Sequence, residues 1–360
     1  MGPGNVQAPC LKVKKTLGEK AIQLASEMSL LSHDLKIDQV NDHLCIPLTS
    51  EPHIAEMERL TESLSNLEVE AAHLFSERAK QHVDLSSLLQ DKLPAQLLAS
   101  LPHAIDFVGT IAIVEIPPEL NDHKTAIGEA ILTMNRHLHT VLAKAGAVDG
   151  VYRVRKLETI AGAEGTQTIH REFGCIFHVD LSKAYFSPRL SHEHFRVASQ
   201  IVEPETIIDM FAGVGPFSIM IAKRNKNAKV YAIDINPDAV DYLRRNIVEN
   251  RVVENVEPIL GDARQIIEEK LAGIADRAIM NLPEKAIEYV DAASRALKSE
   301  GGVLHFYAFE GGSEPLESAT VRLTAAVKQA GRKVGKILAS RLVRATSPFV
   351  WQVAVDAEIS

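Results

Sequence analysis

The C-terminal half of the chain alternates short apolar runs with longer segments in which apolar residues recur at helical spacing. The runs are "TIIDMFA", "KVYAID", "VEPILG", "RAIMNLP" and "GGVLHFYAF", and "PDAVDYLRRNIVENR" is a typical helical segment between them. Short buried strands separated by helices are typical of a parallel sheet covered on both faces. Two later runs, "RKVGKILASRLVR" and "FVWQVAVDA", predict a strand pair at one edge. The pattern predicts an α/β fold over residues 196–360.

The N-terminal half has different periodicities. Residues 1–55 predict a small α+β module, because an amphipathic helical stretch precedes an alternating segment with Asn41 and Asp42 at its turn. Residues 56–103 are rich in Leu, Glu and Ser at helical spacing and predict a helical connector. Residues 104–195 predict a β-rich middle domain, in which "KTAIGEAILTMNRHLHTVLAKAG" forms a helix ending at Gly146 and "VYRVRKLETIAG" and "CIFHVDLSKAYFSP" form strands.

Length and composition narrow the class of protein. A chain of 360 residues suggests two or three domains. No apolar run is long enough to span a membrane and the N-terminus has no apolar signal core, so we expect a cytoplasmic protein. A monomer is a separate expectation. The net charge of −8 does not suggest a nucleic-acid partner by itself. Basic residues nevertheless cluster along one part of the sequence, at Arg153, Arg155, Lys156, Arg171, Lys183, Arg189 and Arg196.

The cysteines and histidines do not follow a metal-binding pattern. Cys10, Cys45 and Cys175 are odd in number and widely scattered, with no CxxC pair, which argues against a disulfide framework and against a zinc site. His137 and His139 are two residues apart and would point in different directions on the predicted helix. We therefore expect three buried, reduced cysteines and no bound metal.

Acidic residues end three successive strands of the predicted sheet. A ligand of such a sheet lies beyond the carboxyl ends of the strands. Asp209 ends the first strand, Asp234 the second, where it would accept hydrogen bonds from ribose hydroxyls, and Asp262 the third, where it would reach an adenine amino group. Gly213 and Gly215 allow the backbone to approach the ligand. The remaining residues expected around this cofactor are Phe211, Ile235, Ala263 and Asn281.

The glycine turn favours one nucleotide over another. A dinucleotide site would have a third glycine where this chain has Ser218, and Pro216 and Phe217 would crowd a pyrophosphate. The motif therefore fits S-adenosyl-L-methionine (AdoMet) better than a nicotinamide dinucleotide. Another nucleotide, or a glycine turn without a ligand, is the alternative.

The fourth strand ends in "IMNLPEKA", which resembles the NPPY-like motif of amino-methyltransferases. In that motif an Asn side chain and the following backbone carbonyl hold the target nitrogen. Asn281 is present here, but Leu282 and Glu284 replace Pro and Tyr, so the aromatic ring that would stack on a flipped base is missing. A different target nitrogen is expected. Adenine-N6 and protein-glutamine methylation are less favoured for this reason.

Several motifs together resemble one family. "YRVRKLETIAG", "AYFSPRLSHE", "DMFAGVGPFSI", "AIDINP" and "IMNLP", in this order, are similar to the Trm5 family, the AdoMet-dependent tRNA (guanine37-N1)-methyltransferases of archaea and eukaryotes. The likeness covers residues 104–355 and, less distinctly, residues 1–50, which resemble a module that grips the outer corner of tRNA. The resemblance implies a class I, Rossmann-like methyltransferase domain and tRNA as partner, contacted at its anticodon loop and outer corner.

The resemblance also assigns roles to residues. Neutral guanine carries a proton on N1, so the reaction needs a base and a group that stabilises negative charge at O6. The family pattern gives the first role to Glu193 and the second to Arg153, while Asn281 orients the guanine. His194 follows Glu193 where the family usually has Arg, and Arg196 is retained. The other residues that the resemblance places near the substrate are Tyr185, Pro283, Arg155, Arg189 and Arg196.

Simpler interpretations of these residues remain open at the level of sequence. Glu193 could be a solvated residue at a helix start, where a carboxylate is favourable. Arg153 and Arg155 alternate on a predicted strand, so the pattern alone does not choose between them. A family member that also methylates a wyosine intermediate at position 37 is one alternative function, and a tRNA-binding protein without catalytic activity is another.

Overall fold

The computed structural model describes residues 5–32, 34–64, 67–76, 84–150 and 152–360. The chain divides into two compact units, Met1–Val83 and Asp84–Ser360, and each is described by itself. In the described part of the chain, no helix has both the length and the apolar character needed to cross a membrane.

The first unit is a four-stranded antiparallel sheet with two helices. The strands lie in the order β2-β3-β1-β4, and the predicted hairpin between β2 and β3 is confirmed. Leu11, Val13 and Ile46 point from the sheet into a core shared with Ala21 and Leu60 of the helices. The elements are β1 (Asn5–Lys14), α1 (Gly18–Glu27), β2 (Asp38–Val40), β3 (His43–Pro47), α2 (Ile54–Ser63) and β4 (Glu68–Ser76).

The expectation of a purely helical segment over residues 56–103 is wrong in its middle. Glu68–Ser76 is a strand that pairs with β1, because edge pairing to an existing sheet outweighs the helical propensity of its Glu, Ala and Leu residues. The later part of the segment is helical, as α3 (Leu85–Leu89) and α4 (Ala95–Leu98), and belongs to the second unit. Residues 65–66 and 77–83 lie outside the described residues. The four-part division at residues 55, 103 and 195 stays a prediction.

The second unit begins with a four-stranded sheet, β5-β6-β7-β8, and a separate β9–β10 hairpin. Buried residues of this hairpin pack in one hydrophobic cluster with residues of the C-terminal sheet and its helices, so the two parts share a core. The elements are β5 (Ile105–Val108), β6 (Ile111–Val114), α5 (Lys124–Met134), β7 (Thr140–Asp149), β8 (Val154–Gly162), β9 (Gln167–Glu172), β10 (Cys175–Asp180) and α6 (Ser191–Ala198).

The helix predicted to end at Gly146 ends earlier, at Met134. Asn135 leaves the helical conformation (φ −131°, ψ 82°). The following apolar residues form β7, which pairs in parallel with β6 and antiparallel with β8. Val141 and Leu142 are fully buried between these neighbours, where β-branched and apolar side chains are favoured. His137 and His139 therefore lie in a connection and not on a helix.

The C-terminal part is a seven-stranded sheet in the order β13-β12-β11-β14-β15-β17-β16. The first five strands in this order are parallel, and β17 is antiparallel to both its neighbours, which confirms the predicted α/β class and the edge pair. Alternate residues face opposite layers: Ile207 packs in the cluster with Leu243, and Ile208 in the cluster with Leu323. The elements are β11 (Thr206–Asp209), α7 (Pro216–Arg224), β12 (Lys229–Asp234), α8 (Pro237–Glu249), β13 (Val256–Leu260), α9 (Ala263–Ile266), β14 (Arg277–Met280), α10 (Val290–Ala296), β15 (Gly302–Gly311), α11 (Pro315–Gln329), β16 (Val334–Ser347) and β17 (Val350–Ile359).

Two buried asparagines, one in α8 and one directly after its C-terminus, attach the hairpin to this sheet. The Asn246 side chain accepts a hydrogen bond from the His178 backbone N–H (2.7 Å) and donates to the carbonyls of His178 and Val214. Asn250, one helical turn later, bridges the backbone N–H and carbonyl of Ile176. These bonds satisfy the outer edge of β10, which has no further strand beside it among the described residues.

Candidate functional site

Strand order in the sheet changes direction between β11 and β14, and a cleft of about 220 Å³ lies at the carboxyl ends of the strands there. A ligand is expected at such a point. The sequence-predicted residues that line this cleft are Arg153, Tyr185, Phe211, Gly213, Asp234, Ile235, Asp262, Ala263, Asn281 and Pro283.

Asp234 is held in place by backbone donors from two loops. Its Oδ2 accepts the N–H of Gly213 at 2.6 Å, and its Oδ1 accepts the N–H of Asn236 at 2.9 Å. Gly213 has a left-handed backbone (φ 56°), which an L side chain rarely adopts. Burial raises the pKa of Asp234, although these N–H donors oppose the shift. Each carboxylate oxygen keeps a further lone pair, so the group can still accept hydroxyl donors.

Asp209 does not reach the cleft. Its side chain is fully buried, and Oδ2 accepts a hydrogen bond from Ser218 Oγ at 2.7 Å. Burial raises the pKa of Asp209 to about 7. Gly215 also lies behind the loop, where it caps α7 with φ 93° and a Cβ would come within 2.4 Å of Leu243. Both residues support the glycine turn from the inside.

Asp262 shapes the adjacent wall. Its Oδ1 caps α9 by accepting the N–H of Arg264 at 2.9 Å, and its Oδ2 lies 3.4 Å from the Tyr289 hydroxyl. Tyr289 also packs edge-on against Phe211, with 5.1 Å between the ring centroids. Sequence reasoning missed Tyr289, because no motif connects it to a strand end.

Asn281 directly follows β14 and faces the late strand pair. Its Oδ1 lies 3.4 Å from Gln352 Nε2 on β17, and the backbone carbonyl of Pro283 accepts the N–H of Phe309 at 3.3 Å. Gln352 and Phe309 also line the cleft and were not predicted. Both residues reach the cleft because β15 pairs with β17. The sequence predicted a late strand pair but did not show that it borders this site.

A second, more basic cavity of about 270 Å³ adjoins the cleft. Both cavities are lined by Arg153, Tyr185, Glu284, Phe309 and Arg344, so these residues form a shared wall. Arg155, Arg189 and Lys144 line only the second cavity. Arg189 pairs with Asp106 at 2.5 Å, and Arg344 donates to the Tyr185 hydroxyl at 3.2 Å.

Arg153 occupies the shared wall in an unusual backbone conformation. It lies just before β8 with φ 56°, so it does not alternate with Arg155 along a strand as the sequence suggested. Its guanidinium forms a two-bond ion pair with Glu284, at 2.6 and 3.1 Å. Glu284 is the residue that replaces the aromatic position of the NPPY-like motif. Any anionic or carbonyl ligand of Arg153 must compete with this carboxylate.

Glu193 is buried in a hydrogen-bonded network outside both cavities. Only 2% of the residue is exposed, so the interpretation of a solvated helix-start carboxylate is wrong. Its Oε2 accepts from Tyr307 and Arg196, both at 3.0 Å, and its Oε1 lies 3.2 Å from Arg341 Nε. Arg196 also pairs with buried Asp356. Leu190, one helical turn before Glu193, does line the cleft.

His194 makes a separate buried contact. Its Nδ1 lies 2.7 Å from Glu172 Oε1, and its ring packs edge-on against Phe217 at 4.6 Å. The side chain therefore connects α6 to the β9–β10 hairpin. The carboxylate that His194 contacts is that of Glu172, whereas Glu193 binds Arg196.

In the seven-stranded sheet the last strand, β17, is antiparallel to both of its neighbours. Acidic residues and a glycine turn lie at the switch point, where the strand order changes direction between β11 and β14. These features define a class I AdoMet-dependent methyltransferase fold. Residues 168–335 match the TRM5/TYW2 methyltransferase domain, residues 85–166 the TYW2 N-terminal domain and residues 10–56 the tRNA methyltransferase 5 N-terminal domain.

Two curated relatives and three solved structures are similar over most of the chain. The tRNA (guanine(37)-N(1))-methyltransferase Trm5b of Pyrococcus abyssi is 38% identical over 97% of this chain and 98% of its own length. The chain therefore belongs to the Trm5 family. The tRNA 4-demethylwyosine(37)-methyltransferase Taw21 of Saccharolobus solfataricus is 35% identical over 70% of this chain and 92% of its own length.

The crystal structure of Pyrococcus abyssi Trm5b has a TM-score of 0.71 at 36% identity and covers 98% of this chain and 99% of its own. A complex of aTrm5 with tRNALeu has a TM-score of 0.67 at 31% identity and the same coverage. Methanocaldococcus jannaschii Trm5 in complex with adenosine has a TM-score of 0.63 at 30% identity, covering 97% of this chain and 98% of its own.

Proposed function

We propose that this chain transfers a methyl group from AdoMet to N1 of guanosine 37 in tRNA. The observation that carries the proposal is the near full-length similarity to a Trm5b enzyme of that activity, on a chain that has a nucleoside-sized cleft at the switch point of its sheet.

The residues of the cleft fit an adenosyl group. Asp234 offers free lone pairs to the ribose hydroxyls, and Asp262 Oδ2 has only the long contact with Tyr289 to compete with an adenine amino group. Ile235, Phe211 and Tyr289 provide apolar surface for the base. A Cβ at Gly213 would meet only one atom within 4 Å, at 3.8 Å, so the backbone there is open to a ligand. When bound, AdoMet supplies the methyl group.

The adjoining basic cavity suits the nucleotide that receives the methyl group. Arg153 stands between the two cavities, where its guanidinium would donate to guanine O6 and stabilise the negative charge that forms when N1 loses its proton. Asn281 would hold the base beside the cofactor. Arg155, Arg189 and Arg344 would offset the charge of the flanking phosphates, which a protein of net charge −8 otherwise repels.

Glu193 is the proposed base, and its present contacts define what must change for it to act. Its carboxylate is bound by two arginines and a tyrosine, so both of its oxygens already have partners. Arg341 is the exposed partner, with 45% of its side chain accessible. Transfer of Arg341 to an RNA phosphate would free Oε1 of Glu193 for the proton of N1.

The same proposal includes the partners and the arrangement of the whole chain. The N-terminal unit would contact the outer corner of tRNA, and the second unit the anticodon loop. The similarity to a Trm5 solved with tRNALeu over 98% of this chain supports tRNA as the partner. We propose action as a monomer in the cytoplasm.

The experiment uses unmodified tRNA transcripts that carry G37 or A37, labelled AdoMet and nucleoside analysis of the product. We expect N1-methylguanosine from the G37 transcript and no label in the A37 transcript. Transfer to A37, or equal transfer to RNA without an anticodon loop, would exclude the proposal.

A second candidate is methylation of 4-demethylwyosine at the same position. The 35% identity to Taw21 over 92% of that enzyme's length favours it. Incubation with a tRNA that carries 4-demethylwyosine at position 37 distinguishes the two activities. A bifunctional enzyme labels this RNA and the G37 transcript, and a guanosine-specific enzyme labels only the G37 transcript.

A further inference from the structure

One face of the N-terminal sheet brings together side chains that are far apart in sequence. Cys10 on β1 and Cys45 on β3 lie beside His73 on β4, and one ligand atom of each lies within 4.8 Å of the other two. This grouping shares no residue with the cleft, because its three residues belong to the unit Met1–Val83 and the residues that line the cleft belong to the other unit. Sequence spacing gave no sign of it, because each residue comes from a different strand.

Strand register explains why these side chains share a face. Cys45 pairs with Lys12, two residues from Cys10 on β1, and His73 pairs with Ala8, two residues from Cys10 on its other side. Residues two apart on a strand point to the same face. The helices pack on the opposite face, where Leu11, Val13 and Ile46 form the main core. The cysteines therefore lie outside that core.

The site is enclosed although its atoms are polar. Cys10 is 0% and Cys45 1% exposed, and Leu35 and Phe75 cover them. The His73 ring packs against Phe75 with 4.7 Å between centroids. Packing of this kind holds the imidazole next to the two thiols.

Carboxylates flank both nitrogens of His73. Nε2 lies 3.0 Å from Asp38 Oδ2 and Nδ1 lies 3.4 Å from Glu70 Oε2. If one nitrogen binds a metal, the other retains a carboxylate partner, which is the usual arrangement behind a histidine ligand. The displaced carboxylate, or a water molecule, is then available as a fourth ligand.

We propose that Cys10, Cys45 and His73 bind a structural Zn²⁺ ion. Two thiols and an imidazole match the preference of zinc for sulfur and nitrogen and exclude Mg²⁺ and Ca²⁺, which prefer oxygen. Tetrahedral zinc places its ligand atoms roughly 3.5 Å apart, so small side-chain rotations close the observed cluster. Binding releases the two thiol protons, and the two thiolates neutralise the ion. The metal then joins β1, β3 and β4 of a unit with a small core.

The test measures metal in the untagged full-length chain, expressed with added zinc and purified without chelator. We expect one zinc per chain, lost in Cys45→Ser and in His73→Ala and retained in the matched control Cys175→Ser, whose cysteine is buried in the other unit. Replacement by Co²⁺ should give the intense visible bands of a tetrahedral thiolate site in the wild-type chain.

The wild-type measurements decide the question even if a variant does not fold. A zinc content at background together with no cobalt spectrum would overturn the proposal. A Cys10–Cys45 disulfide in peptide mapping of the freshly purified chain would also overturn it, as would zinc retained in both ligand variants. None of these readouts depends on methyl transfer, so the outcome is independent of the proposed reaction.

Discussion

Asp209 gives a stability prediction whose size follows from the structure. Its carboxyl is fully buried, with Ser218 as its side-chain hydrogen-bond partner. Burial raises its pKa from 3.8 to about 7. The folded state therefore keeps a proton that the unfolded chain has already lost over this pH range.

The sign follows from proton linkage. Between the two pKa values the folded state binds more protons than the unfolded state, so the free energy of unfolding decreases as pH rises. Each pKa unit corresponds to about 1.4 kcal/mol, so the shift from 3.8 to about 7 corresponds to a loss of up to about 4 kcal/mol. Above about pH 7 the loss is complete. Asp209→Asn has nearly the same shape, resembles the protonated acid and removes this dependence.

Urea unfolding followed by tryptophan fluorescence measures the effect. Trp351 is the single tryptophan of the chain and lies on β17, in the same sheet as Asp209. The unfolding free energy of Asp209→Asn minus that of the wild type should rise by up to about 4 kcal/mol between about pH 4 and about pH 8. The exposed Asp241→Asn on α8 is the matched control and should show a nearly constant difference. Parallel pH profiles for Asp209→Asn and wild type would refute the reasoning.

Three further predictions concern packing and transfer. Asn246→Ala leaves three buried backbone groups unpaired. In urea unfolding, the free energy of unfolding should therefore decrease by about 3 kcal/mol or more. The exposed control Arg245→Ala should lose almost nothing, and equal losses in the two variants would contradict the prediction. Glu193→Gln should slow single-turnover methyl transfer about a hundredfold or more while AdoMet affinity by equilibrium dialysis changes little; an unchanged rate removes Glu193 as the base. Arg153→Ala should lower the transfer rate about a hundredfold, with Arg153→Lys between it and wild type; full activity of Arg153→Ala excludes its role at O6.

The sequence predicted the C-terminal sheet well, because each buried strand there is a short apolar run bounded by turn residues. It also predicted part of the cleft wall, since Asp234 ends β12, Asp262 lies two residues after β13 and Asn281 directly follows β14. It failed at β4 and β7, where Ala- and Leu-containing segments fit helix or strand equally well. Pairing with β1 in the first case, and with β6 and β8 in the second, decided the outcome.

The unpredicted parts of the site come from distant segments of the chain. Tyr289 reaches Asp262 across 27 positions, Gln352 reaches Asn281 across 71, and Glu284 reaches Arg153 across 131. Each contact depends on which strands are neighbours, and no local pattern carries that information. A motif therefore predicts that a residue lies at the edge of the sheet, but not the partner that sets its charge or orientation.

Two buried acids show how much the partner matters. Asp209 and Glu193 are both carboxylates from recognisable motifs, and both are almost completely inaccessible. Burial raises the pKa of Asp209 to about 7, so its neutral form is favoured at lower pH. Glu193 lies at the same depth but has Arg196 at 2.9 Å and Arg341 at 3.2 Å as ion-pair partners. Because these arginines lie on α6 and on the edge strand β16, the surroundings of Glu193 are set by the assembled sheet. In the mechanism we propose, displacement of the exposed Arg341 would make Oε1 of Glu193 available to the proton of N1.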